Sequence, residues 1–127
     1  MINGHLSQFL DTGWFNEATL YYKGYTYWCE GCWDHDKEKP MHFFVNKYRA
    51  VVHKDDKAVW TSRLIENGKV VDYSTVLDIW GYGEDDVKEL FLKAKIFEGK
   101  SFWEVENELS WYDEYQINSS KQDSKQL

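Results

Sequence analysis

An Asn-Gly dipeptide, Asn67-Gly68, sits between two runs of strand-forming residues and constrains the local fold more than any other feature of this chain. Asn and Gly supply the positive φ angles that a type I′ turn requires, and a two-residue turn sets the register of the strands it joins. Residues 60–66 and 69–75 are therefore predicted to pair. Glu66 faces Lys69, Ile65 faces Val70, Leu64 faces Val71, Arg63 faces Asp72 and Ser62 faces Tyr73. Two opposite-charge pairs then lie directly across from each other, which favours this register over a slipped one.

Other segments share the strand texture. Ala18–Tyr22, Tyr25–Cys29 and Phe43–Val52 are rich in aromatic and β-branched residues, as strands are. Lys23-Gly24 reads as a tight turn or a bulge. Glu30–Pro40, with the single proline and a mixed charge run, reads as a loop.

Helical signals lie at the two ends. Leu6, Phe9 and Leu10 share a face in a short helix over residues 3–13, with Gly13 as its terminator. After Trp80-Gly81-Tyr82-Gly83 the period changes. Val87, Leu90, Phe91 and Ala94 recur at helical spacing, Glu84, Asp85 and Asp86 suit a helix amino end, and Gly99 closes the element. Ser101 and Glu104 form a capping box opening a second helix, with Phe102, Val105, Leu109 and Tyr112 as its inward stripe. The predicted architecture is α+β: an antiparallel meander of four or five strands, a short N-terminal helix, and two C-terminal helices on one sheet face. Residues 1–115 make one domain, and the polar residues 116–127 read as a disordered tail.

Seven Trp, nine Tyr and seven Phe give this chain enough apolar area for a core at 127 residues. Some of these rings are expected at the surface as contact anchors, Trp103 and Trp111 among them. The net charge is −7, and residues 84–114 carry −6 of it, with ten acidic and four basic side chains. Such a charge disfavours direct binding to nucleic acid or an anionic membrane and favours a basic protein partner. The carboxylates expected to meet it are Glu84, Asp85, Asp86, Glu104, Glu106, Glu108, Asp113 and Glu114. Solubility alone also accounts for charge of this size. No basic leader precedes an apolar run, no stretch approaches a membrane span, and two cysteines are too few for a disulfide scaffold; the cytoplasm is the expected compartment. A monomer and a homodimer are both compatible with the sequence.

Cys29-Glu-Gly-Cys32-Trp-Asp-His35 holds the most chemical potential. Cys-x-x-Cys can place two thiolates on one zinc, and His35 or His42 can add nitrogen. A structural zinc site usually has a second pair, which this chain lacks, so the zinc-stabilised domain built on Cys29, Cys32 and His35 is the alternative reading. A small-ligand pocket lined by sheet aromatics is another. Lys47, Arg49, Lys54, Lys57 and Arg63 are the basic cluster, and stacked bases on a sheet are a known RNA-binding mode, but the overall charge opposes it. No nucleophile elbow, P-loop, dinucleotide fingerprint or His-Glu-x-x-His helix is present, and the expectation is a protein without catalysis or cofactor.

The stretch Lys69-Val-Val-Asp-Tyr-Ser-Thr-Val76 resembles a Lys-Leu-Val-Asp-Tyr-Ser-Thr-Val segment of type II-A anti-CRISPR proteins. There too it follows a turn in a small acidic α/β chain. The resemblance covers eight of 127 residues. It implies a compact, non-enzymatic protein of a mobile element that inhibits an effector nuclease by occupying its basic nucleic-acid site.

Overall fold

A computed structural model describes residues 1–2, 4–15, 17–49, 51–54, 57–60 and 64–112. In chain order its elements are α1 (Leu6–Asp11), a 3-10 turn (Gly13–Phe15), β1 (Ala18–Tyr22), β2 (Tyr25–Trp33), β3 (Met41–Tyr48), β4 (Val51–Lys54) and β5 (Lys57–Trp60). There follow β6 (Leu64–Glu66), β7 (Lys69–Val71), β8 (Ser74–Gly81), α2 (Glu84–Lys93), α3 (Phe102–Val105), a 3-10 turn (Glu106–Glu108) and β9 (Ser110–Tyr112). The fold is α+β. Its main sheet has five strands in the order β8-β3-β2-β1-β9, and β4-β5 and β6-β7 form two separate hairpins.

The two-residue side-chain period of a strand sorts this sheet into two faces. Ala18, Leu20, Tyr22, Tyr27, Cys29, Met41, Phe43 and Val45 point inward and are buried. Phe9 of α1, Val87 and Phe91 of α2, and Phe102 and Val105 of α3 join them in one core. The helices thus close a single sheet face, with rings meeting at angled contacts such as Trp14–Phe43 at 5.0 Å and Phe43–Phe91 at 5.0 Å, the geometry aromatic pairs favour.

The Asn67-Gly68 hairpin has the predicted register. Leu64, Ile65 and Glu66 pair with Val71, Val70 and Lys69, and Asn67 and Gly68 have φ of 49° and 77°, as a type I′ turn requires. Lys23-Gly24 is a tight turn of the same kind, with φ of 48° and 80°, linking β1 to β2 through the pair Tyr22–Tyr25. Among the described residues the pairing of the Asn67-Gly68 hairpin covers Leu64–Glu66 and Lys69–Val71. Trp60 pairs with Val51, and Ser74 and Thr75 pair with Lys47 and Asn46 of β3. The pairings of Arg63 and Ser62 fall outside the described residues.

The other boundaries shift for packing reasons. The predicted helix over 3–13 is α1 followed by a 3-10 turn, and Gly13 is set by close approach: a Cβ there would lie 2.4 Å from Cζ2 of Trp111. The predicted loop Glu30–Pro40 begins later, because Glu30–Trp33 continue β2 by pairing with Phe44–Met41. The run Phe43–Val52 divides after Tyr48, where β3 ends and the β4-β5 hairpin begins. Helix α2 ends at Lys93, before Gly99, and frees Phe97 to pack on Tyr27 at 4.8 Å and on Tyr22 at 6.2 Å.

The largest correction is at the second C-terminal helix. Ser101 and Glu104 do form the capping box, with the Ser101 amide donating to Glu104 Oε1 at 3.1 Å. The helix nevertheless lasts only to Val105. Leu109 is buried as predicted, but residues 110–112 turn into a strand on the outer edge of β1, with Trp111 opposite Leu20. Strand geometry puts the Trp111 ring into the core, where a helix would have carried it around to another face. The expected tail, 116–127, lies outside the described residues.

Candidate functional site

Three strand ends converge at one corner of the sheet. Trp33 at the end of β2 pairs with Met41 at the start of β3, and Met41 pairs with Gly81 at the end of β8. The chain then passes Tyr82 and Gly83 and enters α2, whose first turn is Glu84-Asp85-Asp86. Carboxylates are favoured there by the positive end of the helix dipole. Gly81 is buried against Val87, to whose Cγ2 a Cβ would come within 2.6 Å, so the helix starts tight against the strand end.

The result is an open cleft of about 560 Å³ lined by Trp33, Tyr82, Gly83, Glu84, Asp85 and Asp86. Trp33 is 44% and Tyr82 60% exposed, high values for such rings. Glu84, Asp85 and Asp86 are all exposed and make no ion pair with any described residue. The ammonium of Lys39 lies 5.6 Å from the Tyr82 ring centre. A ring face with carboxylates beside it suits a guanidinium or ammonium group, through cation–π attraction and charge-assisted hydrogen bonds. A smaller cleft of about 230 Å³ adjoins it, sharing Asp85 and lined by Lys88, Glu89, Leu92, Lys93 and Trp103.

The residues singled out from sequence separate into groups. Glu84, Asp85 and Asp86 line the main cleft, and Trp103, 54% exposed, borders the second. Trp111 was expected as an exposed anchor, but it is 1% exposed and belongs to the core. Glu104 is exposed yet occupied by the cap, and the Ser101 amide holds its carboxyl below the ordinary range. Glu106 receives the Met1 amino group at 2.5 Å. Glu108 is exposed in the 3-10 turn. Asp113 and Glu114 lie outside the described residues. Trp33 and Tyr82 were missed because their sequence neighbourhoods mark only a loop and a turn. Their convergence depends on pairing between β2, β3 and β8.

The proposed zinc ligands do not converge. Cys29 and Cys32 are three residues apart on a continuous strand, so they point to opposite faces. Cys29 is fully buried in the core, which pushes its thiol strongly upward in pKa. Cys32 is exposed on the other face. His35 stacks on Trp33 at 5.9 Å and joins neither sulfur. Among the described residues no group of three or more His, Cys, Asp and Glu side chains is arranged to hold a metal. No described helix is long and apolar enough to cross a membrane.

No protein-family model, curated protein or solved structure matches the chain.

Proposed function

We propose that this chain is a non-enzymatic acidic binding protein that inhibits an effector nuclease by occupying its basic nucleic-acid site, in the manner of anti-CRISPR proteins. The observation that carries this reading is the cleft at the start of α2, where the exposed Trp33 and Tyr82 rings line the same opening as three carboxylates that pair with no described residue. A surface that grips phosphates presents Arg and Lys, and those are the side chains such a cleft accepts. Lys39 over Tyr82 is an internal instance of the same contact. The excess of negative charge in residues 84–114 would steer a basic partner toward this end of the molecule. Trp103 and Leu92 supply apolar contact beside it.

The reading is tested by titrating the protein against a type II-A effector nuclease at increasing salt. Charge attraction is screened over about 8 Å at physiological ionic strength. Association should therefore slow by about tenfold or more between low salt and several times that strength, with a smaller change in dissociation. Association indifferent to salt would speak against a charge-guided mode.

A further inference from the structure

The outer sheet face, opposite the core, brings together three polar side chains that lie far apart in the sequence. Cys32 on β2 is directly across from His42 on β3, and His42 is directly across from Trp80 on β8. The Cys32 sulfur lies 3.7 Å from Nδ1 of His42. On the other side of the ring, Nε2 of His42 lies 2.6 Å from Oδ1 of Asp78. The imidazole stacks on the Trp80 indole at 4.1 Å with the planes 4° apart. A carboxylate acceptor at Nε2 keeps a proton on that nitrogen and leaves the Nδ1 lone pair facing the thiol. Trp80 fixes the plane of the ring. Nucleophile, base and orienting carboxylate are thus in the order that activates a thiol.

We infer that Cys32, His42 and Asp78 form a thiol–imidazole–carboxylate relay that makes Cys32 a site of thiol–disulfide exchange with low-molecular-weight disulfides. The Cys32 proton passes to Nδ1 of His42, and the thiolate attacks one sulfur of the disulfide. A new S–S bond forms at Cys32 as the old one breaks. The departing thiolate takes the proton from Nδ1, so one disulfide and one thiol are consumed, and one mixed disulfide and one thiol are produced. Partial desolvation against the sheet and the Glu30 and Asp34 carboxylates raise the Cys32 thiol above its ordinary value, so it rests protonated and depends on the adjacent base. Ligand number favours this chemistry over a structural metal, which needs four donors where the relay needs one sulfur and one nitrogen. The chain has two cysteines, and Cys29 faces the core from the opposite side of the sheet. No internal thiol can resolve the adduct, which therefore persists until an external thiol removes it. This chemistry is independent of what docks at the acidic cleft.

The test uses dithiodipyridine, a neutral disulfide whose released thione is followed by absorbance, with the labelled residue identified by peptide mass. In the folded wild-type protein one thiol should react, and it should be Cys32. His42→Gln should slow the reaction by about 100-fold, the low end of what a positioned base contributes. Asp78→Asn should give a smaller loss that Asp78→Glu partly recovers. Added imidazole should restore the rate of His42→Ala, a rescue that a merely structural effect would not produce. Circular dichroism of each variant identifies any that fail to fold, and the rescue remains readable in whichever His42 variant folds. The inference is overturned if folded His42→Gln reacts at the wild-type rate, if Cys32 is silent in the folded protein, or if a chelator must first strip a metal before Cys32 reacts.

Discussion

Trp111→Ala should cost roughly 3–5 kcal/mol of stability, the usual range for removing a buried Trp or Phe side chain. The ring is 1% exposed, meets Phe9 at 5.5 Å and His5 at 5.8 Å, and fills the space above Gly13. Its loss leaves a cavity between α1 and the β1–β9 edge, and the fall in Tm should be roughly 10 °C or more. Gly13→Ala attacks the same contact from the other side. A methyl 2.4 Å from a confined ring must displace it, and such overpacking costs typically 1–3 kcal/mol. Trp103→Ala supplies the contrast. That ring is 54% exposed, so its removal should change stability by no more than about 0.5 kcal/mol. Chemical denaturation of the three variants checks the assignment, and equal losses for Trp111→Ala and Trp103→Ala would contradict it.

The second large effect concerns binding. Neutralising the cleft with Glu84→Gln, Asp85→Asn and Asp86→Asn together should weaken association with the nuclease by about 10- to 100-fold, mostly through a slower on-rate. Neutral substitutions are preferred to lysines because positive charge at a helix amino end would itself cost about 0.3–1 kcal/mol per site. Glu104 and Glu106 are unsuitable targets, since one caps α3 and the other meets the Met1 amino group; changing them would mix folding with recognition. Asp11→Asn with Glu17→Gln, exposed carboxylates outside the cleft, should have little effect. Kinetic binding measurements would separate the two sets, and equal losses in both would reduce the cleft to one part of a diffuse negative field.

Features governed by neighbouring residues were legible in the sequence. Asn67-Gly68 and Lys23-Gly24 carry their turn chemistry locally, and the Ser101–Glu104 box is written in four consecutive residues. The α+β class also followed from local texture. What failed depended on distant partners. Residues 110–112 read as helix because Leu109 and Tyr112 continue a helical stripe, but the open edge of β1 accepts them as a strand. That edge satisfies backbone groups while Trp111 enters the core, an option no local window can weigh.

The candidate sites followed the same division. Glu84, Asp85 and Asp86 were visible as helix-opening acids, but Trp33 and Tyr82 became their neighbours only through two strand pairings. Cys-x-x-Cys spacing left one zinc open as the alternative reading, with Cys29 ending a strand and Cys32 in a loop. Once β2 runs through it, the pleat sends the two sulfurs apart. In the sequence His42 was only a possible further zinc ligand, and the side chains it meets stand 10 residues before it and 36 after it.

The most direct measurement of the inhibitory reading is competition. Labelled nucleic acid bound to the effector nuclease is titrated with this protein, and the fraction still bound is read by fluorescence anisotropy. Occupation of the basic site predicts that the two ligands exclude each other: anisotropy falls to the value of free nucleic acid, and excess unlabelled nucleic acid shifts the midpoint upward in proportion to its concentration. A stable complex holding both the protein and the nucleic acid, with anisotropy that stays high at saturation, would contradict it.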